Sequence, residues 1–93
     1  ALGRAPTCLV LSQNSPNPFG QFTIIGYQLP KPGHATLRVY DAAGRLAATL
    51  VDGPLSAGAH KVRWEKGNLA SGIYFYRLSS GDLTATKKLV VLE

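Results

Sequence analysis

Methionine is absent from the 93 residues, and the one cysteine, Cys8, has no partner. No internal disulfide is available to staple the fold. With no histidine or second cysteine near it in sequence, Cys8 reads as a small apolar core residue rather than a reactive thiol. No apolar run approaches the roughly 18 residues that a membrane-spanning helix requires. Acids are scarce, five Asp and Glu against ten Lys and Arg, which leaves a net charge of +5. That balance raises the question of an anionic partner. Yet Arg38, Arg45, Lys61, Arg63 and Arg77 are spread singly, and Lys87-Lys88 is the one adjacent pair. Such dispersal fits the solvent faces of a sheet and names no nucleic-acid partner. The opening Ala1-Leu2-Gly3-Arg4-Ala5-Pro6 has neither an initiator methionine nor a signal-peptide pattern, as expected of a piece of a longer chain.

The constellations of catalysis are missing too. His34 and His60 stand apart, with no His-x-His, Cys-x-x-Cys or Asp-x-Asp spacing to hold a metal. Ala70-Ser71-Gly72 is not a nucleophile elbow, so Ser71 is read as a turn residue. The glycines fall one to a turn and make no phosphate cradle. Asp41, Asp52 and Asp82 sit in separate turns, with nothing to pair them for general acid and base work. The sequence therefore predicts no catalytic residue, no metal site and no cofactor.

What is present is a β pattern. The richest stretch is Leu69 to Leu78, in which Tyr74, Tyr76 and Leu78 alternate with Ile73, Phe75 and Arg77. The two-residue period is that of a strand, and apolar groups on both faces predict an interior one. Leu69 and Gly72 leading into Tyr74 suggest a tyrosine corner, in which a Tyr hydroxyl bonds back to backbone a few residues earlier. Six further strands are expected: Thr7 to Leu11, Phe22 to Leu29, His34 to Asp41, Arg45 to Val51, Ala59 to Glu65 and Leu83 to Leu92. Ala35, Leu37 and Val39 should point inward, as should Leu46, Ala48 and Leu50 in the next strand, then Val62 and Trp64. Turns are marked by Pro30-Lys31-Pro32-Gly33, by Asp41 to Gly44 with positive φ at Gly44, by Asp52-Gly53-Pro54, by Ser56-Ala57-Gly58, by Lys66-Gly67-Asn68 and by Ser79 to Asp82. Between the first two strands, Ser12 to Gly20 reads as an ordered loop with Phe19 as its hydrophobic plug. In the last strand, Leu89 to Leu92 is apolar on both sides, which demands either a bulge or cover on both faces.

Short strands separated by Gly or Pro turns, with no sustained 3.6-residue apolar period, predict an all-β fold: a seven-stranded antiparallel immunoglobulin-like β-sandwich over residues 1–93. A single domain of this size buries roughly 60–65% of its unfolded surface and has little room for a deep cleft. Trp64, Tyr74 and Tyr76 are needed to fill its core. Tyr40, in outward phase, is the aromatic left free to bind.

Several phrases, taken in order, resemble one family. They are Gln13-Asn14-Ser15-Pro16-Asn17-Pro18-Phe19, then Tyr27-Gln28-Leu29-Pro30 with Gly33, then Leu37-Arg38-Val39-Tyr40-Asp41 with Gly44-Arg45. Gly58, His60, Val62 and Trp64 follow, then Leu69, Ser71, Gly72, Tyr74, Tyr76 and Leu78, then Thr86-Lys87-Lys88-Leu89-Val90. From about Leu9 onward the chain resembles the C-terminal sorting domain of type IX secretion in Bacteroidetes-like bacteria. That domain is similar in turn to the immunoglobulin-like domain of the flagellar hook-scaffolding protein. The resemblance implies a transport tag rather than an enzyme, carried behind a cargo domain. Secretion machinery at the outer membrane would bind it and a sortase-like peptidase remove it. The cargo would pass through the periplasm and outer membrane to be released or attached at the cell surface. By position, Lys87, Lys88, Leu89, Val90, Val91 and Leu92 match the terminal recognition strand, and β-augmentation would suit such a strand. Pro16, Asn17, Pro18, Phe19, Gly44, Trp64, Gly72, Tyr74 and Tyr76 match structural motifs. The chain departs from the pattern at Gly20-Gln21, at Glu65 and at Glu93, the last weakening a basic ending. The competing readings are an accessory carbohydrate-binding module using Tyr40, an inert spacer, and a hook-assembly scaffold.

Overall fold

The computed structural model describes residues 9–17, 19–67 and 69–92. Seven antiparallel strands follow one another: β1 (Val10–Leu11), β2 (Phe22–Leu29), β3 (Gly33–Asp41), β4 (Leu46–Leu55), β5 (Gly58–Glu65), β6 (Gly72–Ser80) and β7 (Leu83–Val91). They form a three-stranded sheet in the order β1-β2-β5 and a four-stranded sheet in the order β4-β3-β6-β7. The fold is a seven-stranded β-sandwich, with β6 interior as its two apolar faces predict. Thr7 and Cys8, assigned to the first strand on sequence grounds, lie outside the described residues, as do Pro18, Asn68 and Glu93.

The core lies between the sheets and is built from alternate residues. Leu11, Ile25, Tyr27, Leu29 and Trp64 come from one sheet, and Ala35, Leu37, Val39, Tyr74, Tyr76, Leu78, Leu89 and Val91 from the other. Phe19 enters from the loop, 1% exposed, its ring centroid 5.5 Å from that of Trp64. The expected plug is in place, and burying a side chain of this size stabilises by roughly 2–3 kcal/mol.

Two turns show why their residues were needed. Asp41 Oδ1 accepts from the amides of Ala43 and Arg45, both at 2.9 Å, while Gly44 sits at φ 86°. Those donors hold the Asp41 carboxyl below its usual range, the Arg45 amide being the largest cause. At the other hairpin the strands run on through Ser80 and resume at Leu83, so the turn is the pair Gly81-Asp82, with Gly81 at φ 60°. A positive φ at that position matches the twist of a two-residue hairpin.

β4 departs from its sequence reading. Two register shifts against β3, at Leu37/Arg38 and Val39/Tyr40, break the two-residue period. Leu46, Ala48 and Leu50 therefore do not share one covered face. Leu46 is 57% exposed, while Ala47, Ala48, Leu50, Val51 and Leu55 pack on the core. Asp52-Gly53-Pro54, read as a connection, belongs to the strand and pairs with Thr36, Ala35 and His34. Proline is accommodated because β4 is an edge strand, where a missing amide donor costs no ladder bond.

Candidate functional site

Chemistry-bearing groups do not converge. Among the described residues no group of three His, Cys, Asp or Glu side chains is placed to hold a metal, and no helix is long and apolar enough to cross a membrane. His34 Nε2 lies 2.7 Å from Asp52 Oδ1 on an exposed surface, and His60 Nε2 lies 2.8 Å from the Ser56 carbonyl oxygen. Each is a local pairing. The polar bonding that links distant parts of the chain is concentrated where the loop after β1 meets the last strand.

β7 pairs with β6 in unbroken register from Leu83↔Ser80 to Val91↔Gly72. Of the two arrangements that the apolar ending allowed, the bulge is absent. Leu89 and Val91 are buried, Val90 is half-buried, and Lys88 and Leu92 are exposed. Lys87 shares the inward phase of Leu89 and is half-buried. The six residues matched to terminal recognition are thus divided: two hold the core, and the rest offer side chains to solvent to differing degrees.

What covers the apolar ending is the loop, and it does so along the strand edge. Phe19 forms a parallel bridge with Val91: its amide donates to the Val90 carbonyl at 3.1 Å, and its carbonyl accepts from the Leu92 amide at 2.8 Å. Asn17 Oδ1 accepts from the Val90 amide at 3.0 Å. Gln13 Nε2 donates to the Lys88 carbonyl at 2.9 Å. From the other side, Lys66 Nζ donates to the Leu92 carbonyl at 2.8 Å. The Gln-Asn-Ser-Pro-Asn-Pro-Phe phrase is therefore a clasp on the terminal strand. Three of its residues, Gln13, Asn17 and Phe19, hold β7 directly.

Asn14 anchors the clasp from within. It is 3% exposed and donates through Nδ2 to the Pro16 carbonyl and to Thr23 Oγ1, both at 3.1 Å. Thr23 Oγ1 donates to the same Pro16 carbonyl at 2.9 Å. The Asn14 amide donates to the Tyr76 hydroxyl at 2.9 Å, which in turn donates to the Ser12 carbonyl at 2.7 Å. Burial pushes the Tyr76 phenol up from its ordinary value, partly offset by the Asn14 amide. No buried side-chain polar atom among the described residues lacks a partner. This satisfied network ties the loop to β2 and β6, and a fully satisfied network fixes one geometry.

The corner residues behave as expected. The Tyr74 hydroxyl donates to the Ala70 carbonyl at 2.8 Å, and Gly72 sits at φ 147°, where a side chain would be strained. Sequence reasoning assigned Tyr76 to packing alone and missed both its hydroxyl and Asn14. One signal for the network was available: Thr23 falls in the inward phase of Ile25, Tyr27 and Leu29, and a buried hydroxyl needs a partner. Also unassigned was the outward face of β6, where Ile73 is 46% and Phe75 36% exposed.

Residues 15–92 match the family described as the secretion system C-terminal sorting domain. No curated protein and no solved structure gives a significant match to the chain. The family is a sorting domain rather than a catalytic one, and its match runs from the bridge at Ser15 through the clasp to the end of β7. The chain belongs to this family and is a C-terminal sorting domain of type IX secretion.

Proposed function

We propose that the 93 residues act as one non-catalytic unit. Machinery at the outer membrane binds that unit, and its terminal strand carries the signal for export of a cargo domain lying before it. The single observation that supports this reading most is the family match, which spans all seven strands but the first. The geometry refines how the signal is offered. Strand addition along β7 between Lys88 and Leu92 would have to displace the clasp, whose bonds already occupy that edge. Recognition therefore goes through the outward side chains of the strand, with the exposed Lys88 and Leu92 and the half-buried Val90 foremost and Lys87 beside them. Leu89 and Val91 act by keeping β7 seated in the core. After export, a sortase-like peptidase removes the domain, and the cargo is released or attached at the cell surface.

The test is a fusion of the whole chain behind a neutral periplasmic reporter, in a host with type IX machinery. Replacing Lys87 and Lys88 together by Ala should preserve the cooperative unfolding transition and sharply reduce export. Deleting residues 87–93 also removes Leu89 and Val91 from the core, so it should abolish both folding and export. Undiminished export of either variant would overturn the assignment of the signal to this strand.

A further inference from the structure

Resting on the sorting reading, we infer that the outer face of the four-stranded sheet is the docking surface, and that its occupant is a protein surface presenting carboxylates around an apolar centre. The register aligns this face in rows. Ile73 lies opposite Val90; Leu46, Tyr40, Phe75 and Lys88 form the next row; Arg38 and Arg77 face one another in the row after. The first two rows are largely apolar, with Leu46, Ile73 and Phe75 exposed. The third is wholly cationic at its centre.

Directly opposed like charges destabilise a sheet, because cross-strand partners stand only about 5 Å apart. Arg38 and Arg77 are such a pair, and neither forms an ion pair with a described residue. Asp52, the acid on this face, is held by His34 one row further on. The Arg77 guanidinium instead lies 5.6 Å from the centre of the Tyr40 ring. The outer face of the other sheet differs: there Arg63 is paired with Glu65 at 3.1 Å and lies 4.0 Å over Phe22. A retained like-charge pair is relieved when carboxylates bind across it, since guanidinium groups form strong, directional bonds with carboxylate. The aliphatic groups Leu46, Ile73 and Val90 favour a protein over a glycan, for aromatic and Arg anchors around an apolar centre are the composition of a protein interface. The surface also includes Lys88 and Val90 of the terminal strand, which accounts for side-chain recognition where the edge is already bonded.

Arg38→Glu alone tests the inference, because it converts the opposed pair into an attractive one. The melting temperature should hold or rise while export of the reporter fusion falls about tenfold or more, the direction expected when like charge meets a carboxylate-bearing partner. Arg38→Lys with Arg77→Lys should keep part of the export. Lys61→Glu, on the opposite face, should leave export unchanged. Export of Arg38→Glu at the wild-type level overturns the inference, as does a loss that merely tracks a lower melting temperature. Should the variant export normally yet lose retention on immobilised polygalacturonate, the face serves an acidic glycan and the protein partner is overturned. Failure of the wild-type fusion to leave the host would instead sink the sorting reading, an outcome distinct from all of these.

Discussion

The four-stranded sheet has two edges, β4 and β7, and they are protected by opposite means. β4 slips register twice, carries Gly53 and Pro54, and leaves Leu46 in solvent. β7 keeps perfect register, and its outer backbone groups toward the end are bonded by the loop that precedes β2. Both arrangements answer the same problem, since an edge strand exposes unpaired donors and acceptors to any passing chain. An irregular edge deters pairing at little cost and tolerates change. A clasped edge depends on every residue of the clasp, and it concentrates stability on the strand that we propose carries the sorting signal.

Breaking the clasp at its apolar anchor should have the largest effect. Phe19→Ala removes a fully buried ring from its contact with Trp64, and such truncations cost about 3–5 kcal/mol. For a domain this small, that is much of the total stability. The denaturant midpoint should fall steeply, and a drop under about 1 kcal/mol would contradict the role of Phe19 as anchor.

Tyr76→Phe comes next. It leaves the Ser12 carbonyl and the Asn14 amide without their buried partner, at a cost of about 1–3 kcal/mol in urea titration. The same variant sharpens a pH signature. Burial raises the folded-state pKa of Tyr76 and of Tyr27 above the ordinary 10.0. Their contribution is complete below the unfolded value and is lost as pH rises from there through the folded one. Wild-type stability should therefore decline above about pH 10, and Tyr76→Phe should decline less steeply over that window. Equal slopes would show that Tyr76 ionises alike in both states.

Asn17→Ala tests one bond of the clasp. The expected loss is about 0.5–1.5 kcal/mol, with faster hydrogen exchange at the Val90 amide and little change in the centre of β6. On the opposite edge, Leu46→Thr should shift stability by no more than about 0.5 kcal/mol. A larger penalty there would erase the contrast between the two edges.

Strand identity, most turn positions and most of the core were determined by local pattern, whereas Asp52-Gly53-Pro54, a turn by its residues, was drawn into β4 by pairing with β3. The alternation of Ala35, Leu37 and Val39 admits one inward face, and the burial of these residues follows from it. The family was legible as well, because its motifs lie in order along the chain. Tertiary structure alone decided the rest. The bulges of β4 arise from pairing with β3, and no periodicity within β4 records them. The bond from Asn17 to Val90 spans 73 positions of sequence, and that from Tyr76 to Ser12 spans 64. Such contacts depend on which sheet each strand joins, a choice made by packing the whole core at once. For the same reason Arg38 and Arg77, unremarkable as separate cations in the sequence, became an opposed pair only when β3 and β6 came together in register.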